Sequence, residues 1–338
     1  MTPADLLGAA ILVALVLYAV LGGADFGGGV WDLLASGPRK RDQRALVEHA
    51  IGPIWEANHV WLILVVVVLF TAFPAGFAEV SIALFVPLVL LLFGIVLRGA
   101  AFTFRTYDRR DDRVQARWGL VFSMSSVLAP LALGVVVGAL ASGRLRVAAQ
   151  GSAPFAWLAP FPLAVGLFAV ALFAYLAATY LAVEAEGALR DDFRGRAAAG
   201  GIAVFACAAL AGALSWSDAP LVFDGLTRRA WSLPLHLATG AAAILAFWAL
   251  RARRVRTARA AAVAQTALIV LGWAAAQYPY VVVPDLTLAS ASAPRVTQVA
   301  LLWALGGGAL LLFPALYALF RVFKGERPFA VVDRRAPR

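Results

Sequence analysis

Long runs of hydrophobic residues, most of them 20 residues or more, alternate along this chain with short segments rich in arginine. A run of about 20 apolar residues is long enough to cross a bilayer as an α-helix. Strands of a membrane barrel would instead alternate polar and apolar positions over about 10 residues. The pattern therefore predicts an all-α, polytopic membrane protein. Nine spans are predicted, at about 5–34, 51–73, 78–104, 118–141, 155–184, 197–216, 230–250, 260–278 and 297–323.

The composition supports the same class of protein. Hydrophobic residues make up 62% of the 338 positions and charged residues only 14%, with a mean hydropathy of +0.84. A soluble domain is about 45–50% apolar and about 25% charged. No segment between the spans is long enough for a soluble domain, so 1–338 is predicted to be a single transmembrane domain. One cysteine, Cys207, excludes an intrachain disulfide.

The lysines and arginines are distributed unevenly between alternate loops. Of the 29, the loops after the odd-numbered spans and the C-terminal tail hold 23, the other loops hold 5, and Arg98 lies inside the third span. Loops rich in Lys and Arg stay on the cytoplasmic side. The bias predicts an N-terminus outside and a C-terminus in the cytoplasm. It also accounts for the net charge of +10 without a nucleic-acid partner.

The stretch Trp55–Trp61 places a carboxylate, an amide and an imidazole at the start of a predicted membrane helix: Glu56, Asn58 and His59. An acid in the bilayer core costs about 2.5–3.5 kcal/mol on insertion scales and is a functional hypothesis by default. At helical spacing Glu56 and His59 share a face. The alternative is an acid at the headgroup level, or a polar pair that only fixes packing.

A second acid, Asp25, ends the first span among glycines that include Gly27 and Gly29. Glycines let membrane helices approach closely, which predicts a packing role for them but does not explain Asp25. With the predicted orientation, Asp25 and Glu56 lie at similar depth near the cytoplasmic surface, as expected for a proton or cation path. Arg98 is predicted to neutralise one of the two acids. The alternative pairs each acid with a loop arginine.

The three histidines, His49, His59 and His236, are not placed for a haem ligated by this chain. A bis-histidine haem needs two of them near one depth. His59 is predicted in the cytoplasmic half of its span, His236 in the outer half, and His49 in a loop. No metal site is predicted from the remaining residues.

These residues resemble a known family, subunit II of the cytochrome bd-type quinol oxidases. The tryptophan-bracketed segment is the specific part of the resemblance, and a glycine string alone would be weak. The matching motifs are Gly23–Gly29, Gly52–Leu62, Phe70–Pro74, Leu97–Arg105, Tyr278–Tyr280 and Pro284.

The resemblance implies nine helices in two four-helix bundles plus one peripheral helix, in the bacterial inner membrane. It implies a partner, a related subunit I that holds haem b, haem d and the quinol site, with or without a small single-helix subunit. No haem is expected on this chain, although some members bind a structural quinone there. Quinol and oxygen would be substrates of the complex, which also contacts membrane lipid.

The resemblance also implies site residues. Asp25 and Glu56 match acids of a cytoplasmic proton path, and Asn58 and His59 are expected to hydrogen-bond within it. Arg98 is the expected charge partner. Trp55 and Trp61, with Gly27 and Gly29, are expected to shape packing and the interface.

The chain departs from the pattern at one position, because many members carry a further acid one turn before Asp25 and this chain has Gly22. The path therefore either follows the family's course or uses water and the Glu56–His59 pair. Two other functions stay open. An ion-coupled secondary transporter would use Asp25 and Glu56 as its coupling site and show broken helices at the midplane. A structural scaffold would use them only to anchor its partner.

Overall fold

The computed structural model describes residues 1–51, 55–107, 112–146 and 155–324. Within these ranges the chain is almost entirely helical, and a π-helical turn, Tyr18–Gly22, joins the first two helices. The strands β1 (Tyr280–Val282) and β2 (Leu286–Thr287) form a short antiparallel pair. The helices are α1 (Pro3–Leu17), α2 (Gly23–Leu33), α3 (Lys40–Ile51), α4 (Trp55–Asn58), α5 (Val60–Ala72), α6 (Pro74–Ala83), α7 (Phe85–Tyr107), α8 (Asp112–Ala141), α9 (Pro160–Glu184), α10 (Gly187–Asp218), α11 (Pro220–Arg228), α12 (Ser232–Arg251), α13 (Val255–Gln277) and α14 (Arg295–Lys324).

Nine helical segments in the described ranges are long and apolar enough to cross a membrane. The predicted all-α fold with nine spans is therefore confirmed. Their bounds are Pro3–Leu33, Trp55–Ala72, Phe85–Arg105, Arg113–Ala141, Pro160–Glu184, Gly187–Asp218, Ser232–Arg251, Val255–Gln277 and Arg295–Leu319.

The helices differ from the predicted spans in a few places. The third predicted span began at 78, but a separate helix, α6, covers Pro74–Ala83, and α7 begins after Leu84. The sixth begins ten residues earlier than predicted, at Gly187. Two helices, α3 and α11, lie in segments predicted to connect spans. Gly52-Pro53-Ile54 of the second-span motif and the tail from 325 lie outside the described residues.

The first four spans pack into one bundle, and α9, α10, α12 and α13 form a second. The span in α9 is the most enclosed of the nine, with 61% of its most apolar 18-residue segment buried. It is enclosed because it contacts helices of both bundles. The last described helix, α14, lies against α1 and α5. None of its most apolar 18-residue segment is buried. The structure thus has the predicted two four-helix bundles with one peripheral helix.

One end of the protein, here called the basic end, carries the arginine-rich connections. They follow α2, α7, α9 and α12, and because successive spans run in opposite directions these connections lie at the same end. The helices α2 and α7 both run toward the basic end. If two residues, one on each helix, lie at the same depth, then residues an equal number of positions further along the two helices also lie at similar depths.

Candidate functional site

The first span carries Asp25 just after its helical geometry changes. The π-helical turn Tyr18–Gly22 leads into α2, and such turns frequently occur at functional sites. A Cβ atom on Gly22 would lie 2.9 Å from the ring of Tyr18. The tyrosine ring therefore occupies the space that a side chain at this position would need, which gives a packing reason for glycine where many members of the resembled family have an acid.

Two further glycines bring α2 into direct contact with its neighbours. A Cβ atom on Gly27 would lie 1.9 Å from the carbonyl oxygen of Phe173 in α9. On Gly29 it would lie 2.2 Å from the Cβ and Oγ atoms of Ser126 in α8. Any larger residue would push these helices apart. Both glycines are buried within this chain, so their contacts are internal.

Asp25 is buried, with 6% of its surface exposed, and its carboxylate accepts a hydrogen bond from a side chain of another span. The Nδ2 atom of Asn58 donates to Oδ2 of Asp25 at 2.6 Å, and Asn58 is itself only 2% exposed. Arg98 donates from Nη2 to the backbone carbonyl of Asp25 at 3.1 Å. We call these three residues, with Tyr18 and His59, the deep cluster.

The guanidinium of Arg98 is enclosed by aromatic rings. Its carbon Cζ lies 4.9 Å from the ring centre of Phe26, 5.4 Å from that of Phe122 and 5.6 Å from that of Trp55. The residue is 1% exposed, and its Nε has no hydrogen-bond partner among the described residues. A cation this desolvated needs a negative charge nearby. Asp25 supplies that electrostatic interaction.

Glu56 lies outside the deep cluster. The sequence left open whether Arg98 would neutralise Asp25 or Glu56, and the structure places Arg98 at Asp25, while the Glu56 side chain is exposed. It shares this exposure with apolar residues further along the same span, of which Ile63 is 59% and Phe70 is 60% exposed. A carboxylate therefore begins an otherwise apolar, uncovered stripe.

His59 points into the deep cluster, unlike Glu56. It lies at a tight turn between α4 and α5, where its backbone N–H bonds the carbonyl of Glu56 at 3.2 Å. Glu56 is exposed, whereas the imidazole of His59 is half-buried. The Nδ1 atom of His59 lies 3.5 Å from the hydroxyl of Tyr18. Its ring also makes an edge contact with Phe26, with the ring centres 5.7 Å apart.

The two tryptophans of the motif pack in different places. Trp55 lies over Arg98, and a Cβ atom on Gly99 would lie 2.8 Å from its ring atom Cη2. Trp61 is 4% exposed and contacts Phe313 of the peripheral helix, with ring centres 6.2 Å apart. Trp55 therefore borders the deep cluster, whereas Trp61 joins α5 to α14.

A second buried acid, Asp32, was not singled out by the sequence reasoning. It has no exposed surface, and its Oδ1 accepts from Nη1 of Arg105 at 2.9 Å. Its Oδ2 accepts from the hydroxyl of Ser123 at 2.8 Å. The guanidinium of Arg44 lies 3.9 Å from the Asp32 carboxylate. The carboxylate of Glu48 lies 3.9 Å from the Arg105 guanidinium. These five residues form the end cluster, named for its place near the basic end.

The signal for the end cluster was present in the sequence as a repeat. Asp32 follows Asp25 by seven residues on the first span, and Arg105 follows Arg98 by seven on the third. Seven residues are almost two helical turns, so each pair lies on one face. Because both helices run toward the basic end, Arg98 meets Asp25 at one depth and Arg105 meets Asp32 nearer that end.

The candidate residues do not form a metal-binding group. Among the residues that the structure describes, no group of three or more His, Cys, Asp or Glu is arranged to hold a metal ion. The deep cluster contributes one carboxylate, one imidazole and one guanidinium. These side chains can donate and accept hydrogen bonds.

Comparison with protein families gives a match over nearly the whole chain. The model of the family described as cytochrome bd terminal oxidase subunit II matches residues 4–323. The Escherichia coli K12 protein "Cytochrome bd-I ubiquinol oxidase subunit 2" is 30% identical over 207 residues, which cover 59% of this chain and 54% of the relative. "Cytochrome bd ubiquinol oxidase subunit 2" of Bacillus subtilis is 34% identical over 135 residues, 39% of each chain.

A solved structure has the same fold. A chain of the bd oxidase from Geobacillus thermodenitrificans superposes with a TM-score of 0.80 at 23% identity, covering 96% of this chain and 99% of that one. At this identity the likeness shows the fold alone. The chain matches only about half the length of the Escherichia coli relative. The family match nevertheless spans all nine predicted helices, and the chain therefore belongs to the cytochrome bd terminal oxidase subunit II family.

Proposed function

We propose that this chain is the haem-free subunit of a terminal oxidase that oxidises quinol and reduces oxygen to water. The names of the Escherichia coli and Bacillus subtilis relatives support this proposal, since both are subunits of bd-type ubiquinol oxidases. The haems b and d and the quinol site are assigned to the partner, subunit I. The complex would lie in the bacterial inner membrane, with the basic end of this chain facing the cytoplasm.

Reduction of oxygen to water consumes protons, and we assign part of their path to this chain. The observation that carries this assignment is the burial of Asp25 among groups that exchange hydrogen bonds. Its carboxylate meets the Asn58 amide at 2.6 Å, and the deep cluster also holds His59 and Tyr18, whose Nδ1 and hydroxyl lie 3.5 Å apart. Arg98 offsets a negative charge that would otherwise be costly in the bilayer core.

Glu56 would extend this path toward the partner subunit. An exposed carboxylate at the start of an apolar membrane helix is unfavourable against lipid. Protein cover over Glu56 and the apolar stripe that includes Ile63 and Phe70 would remove that cost. The neighbouring span in α7 presents a similar uncovered stripe, with Phe93 and Val96 both 56% exposed. These two spans are therefore our proposed face for subunit I.

The experiment is Glu56→Gln in the complex co-expressed with its partner subunit. The glutamine keeps the shape and hydrogen bonding of the side chain but cannot exchange a proton. We expect normal assembly and haem spectra, with slower quinol-driven oxygen consumption and slower proton uptake. Glu79→Gln in α6, at the opposite end of the second span, is the matched control and should behave as the unmodified complex does.

The two outcomes separate a proton path from a scaffold. If Glu56 only anchors the partner, the variant either changes nothing or loosens the complex and loses haem. An assembled Glu56→Gln complex with unchanged oxygen consumption and proton uptake would overturn the relay role of Glu56.

A further inference from the structure

The end cluster has the components of a proton entry that leads from the basic end to Asp25. Its acid, Asp32, is fully buried, yet it is linked through Arg105 to Glu48, whose side chain is 35% exposed. Arg44, at 3.9 Å from Asp32, is 37% exposed in its side chain. The cluster therefore connects a buried carboxylate to solvent at the basic end.

A hydroxyl group lies at the seam between α2 and α8, in the interval between Asp32 and Asp25. The two acids are separated by about 10 Å along the helix axis. Gly29 lies between them on the same face of α2, and the hydroxyl of Ser126 in α8 fills the space that a side chain on Gly29 would occupy. One turn along α8, Ser123 donates directly to Asp32.

Both serines are enclosed, Ser123 with 1% and Ser126 with 0% of its surface exposed. The single hydroxyl proton of Ser123 lies within reach of both Asp32 and the carbonyl of Gly119, the latter at 2.9 Å, and Ser126 donates to the carbonyl of Phe122 at 2.6 Å. A serine hydroxyl retains acceptor capacity while it donates. These side chains can therefore pass a proton on by accepting one at oxygen and releasing another.

Arg98 and Arg105 lie at the two ends of this seam, at Asp25 and Asp32. The ring of Phe122 lies between them, with its centre 5.4 Å from the guanidinium carbon of Arg98 and 5.8 Å from that of Arg105. Phe122, which belongs to α8 like the two serines, contributes an apolar wall beside their hydroxyls. The charged groups that approach Asp32 are Arg105 from α7 and Arg44 from α3.

We propose that Asp32, Ser123 and Ser126 form a proton-entry segment within this chain, between Glu48 at the basic end and Asp25 in the deep cluster. This proposal rests on the proposed proton path. A proton enters at the Asp32 carboxylate, and transfer along the hydroxyls releases a different proton toward Asp25, so that one proton moves and no net charge stays behind. The proposed transfer calls for bridging water between these side chains, since buried water commonly bonds polar groups that lack another partner.

The test is Asp32→Asn in the co-expressed complex reconstituted into liposomes. We expect haem content close to that of the unmodified complex, and a fall of about tenfold or more in oxygen consumption, within the range of general acid–base effects. The solvent deuterium isotope effect on turnover should rise, because proton delivery becomes rate-limiting. A purely structural Asp32 would not change that isotope effect.

A matched control breaks another ion pair near the same end. Asp192 in α10 accepts from Nε of Arg39 at 2.7 Å, outside the seam between α2 and α8. This pairing raises the pKa of the Arg39 guanidinium. Asp192→Asn removes a similar acid–arginine contact, and it should leave the rate and the isotope effect of the assembled complex unchanged.

A second pair of variants covers the case in which Asp32→Asn does not assemble. Ser126→Ala removes one hydroxyl and no charge, and should slow turnover and raise the isotope effect. Ser125→Ala is its control: like Ser126, Ser125 bonds carbonyls of its own helix, but Ser126 is the serine whose side chain lies against Gly29 of α2. Ordinary turnover and isotope effect in assembled Asp32→Asn, or in Ser126→Ala if the former fails to assemble, would overturn the entry segment. If Glu56→Gln still slowed the enzyme in that case, the proposed function would stand.

Discussion

The deep cluster and the end cluster are built from the same pair of residue types at the same spacing, but they treat their acids differently. Asp32 receives a direct contact from a guanidinium, Nη1 of Arg105 at 2.9 Å. The carboxylate of Asp25 is instead bonded by the neutral amide of Asn58, while Arg98 contacts its backbone carbonyl. The acid nearer the basic end is thus bonded by a cation, and the carboxylate of the deeper acid accepts a hydrogen bond from a neutral amide.

Exposure explains why the two arrangements differ. The side chain of Arg105 is 13% exposed, so that water and Glu48 help to solvate its charge. Arg98 is 1% exposed and is surrounded by aromatic rings. Weakening an ion pair near solvent costs little free energy, because water can replace the lost contact. A buried charge has no such replacement, so losing its counter-charge costs more free energy. The comparison therefore predicts unequal effects of equivalent substitutions.

Arg98→Gln should have the largest effect of these substitutions. Removal of one partner from a buried ion pair costs about 3–5 kcal/mol because the other charge is left uncompensated. Arg105→Gln, the matched variant, should cost about 1.5–3 kcal/mol, since Asp32 keeps Ser123 and the nearby Arg44. The measurement is the thermal midpoint of haem loss from the purified complex. Equal losses for the two variants would contradict the distinction between the clusters.

Gly29→Ala should have a smaller effect, of about 1–3 kcal/mol, because the added methyl overlaps the Ser126 side chain and forces α2 and α8 apart. Gly195→Ala in α10 is the control, since nothing lies within 4 Å of a Cβ atom at that position. There alanine should be neutral or slightly stabilising. The measurement is the thermal midpoint of each of the two complexes. An unchanged midpoint for Gly29→Ala would contradict close packing of α2 against α8 at Ser126.

The spans and most of the deep cluster, though not Tyr18, were accessible from the sequence because their signals are large. Twenty apolar residues can form little other than a membrane helix, and Asp25, Asn58 and Arg98 stand out as polar residues within such runs. The different surroundings of Glu56 and His59 were not accessible, since helical spacing gives the face that a residue occupies but not what packs against it. Glu56 is exposed, whereas His59 lies against Tyr18 and Phe26 of the first span.

The end cluster was overlooked for a different reason. Asp32 and Arg105 lie close to the ends of their helices, where charged residues are common and pair with water or loops. Only the contact between α2 and α7–α8 shows that Asp32 is fully buried there. The break between α6 and α7 at Leu84 was also hidden, because apolar residues continue through it.

The most direct test of the account is proton uptake by the Asp25→Asn complex. The fully reduced enzyme, in liposomes with a pH dye on the basic side, is mixed with oxygen, and haem oxidation and proton uptake are followed together. We expect a complex that assembles with ordinary haem spectra but with a lower thermal midpoint, because Arg98 loses its counter-charge, and in which proton uptake slows about tenfold or more. Proton uptake at the unmodified rate in an assembled Asp25→Asn complex would contradict the central claim that this chain delivers protons through Asp25.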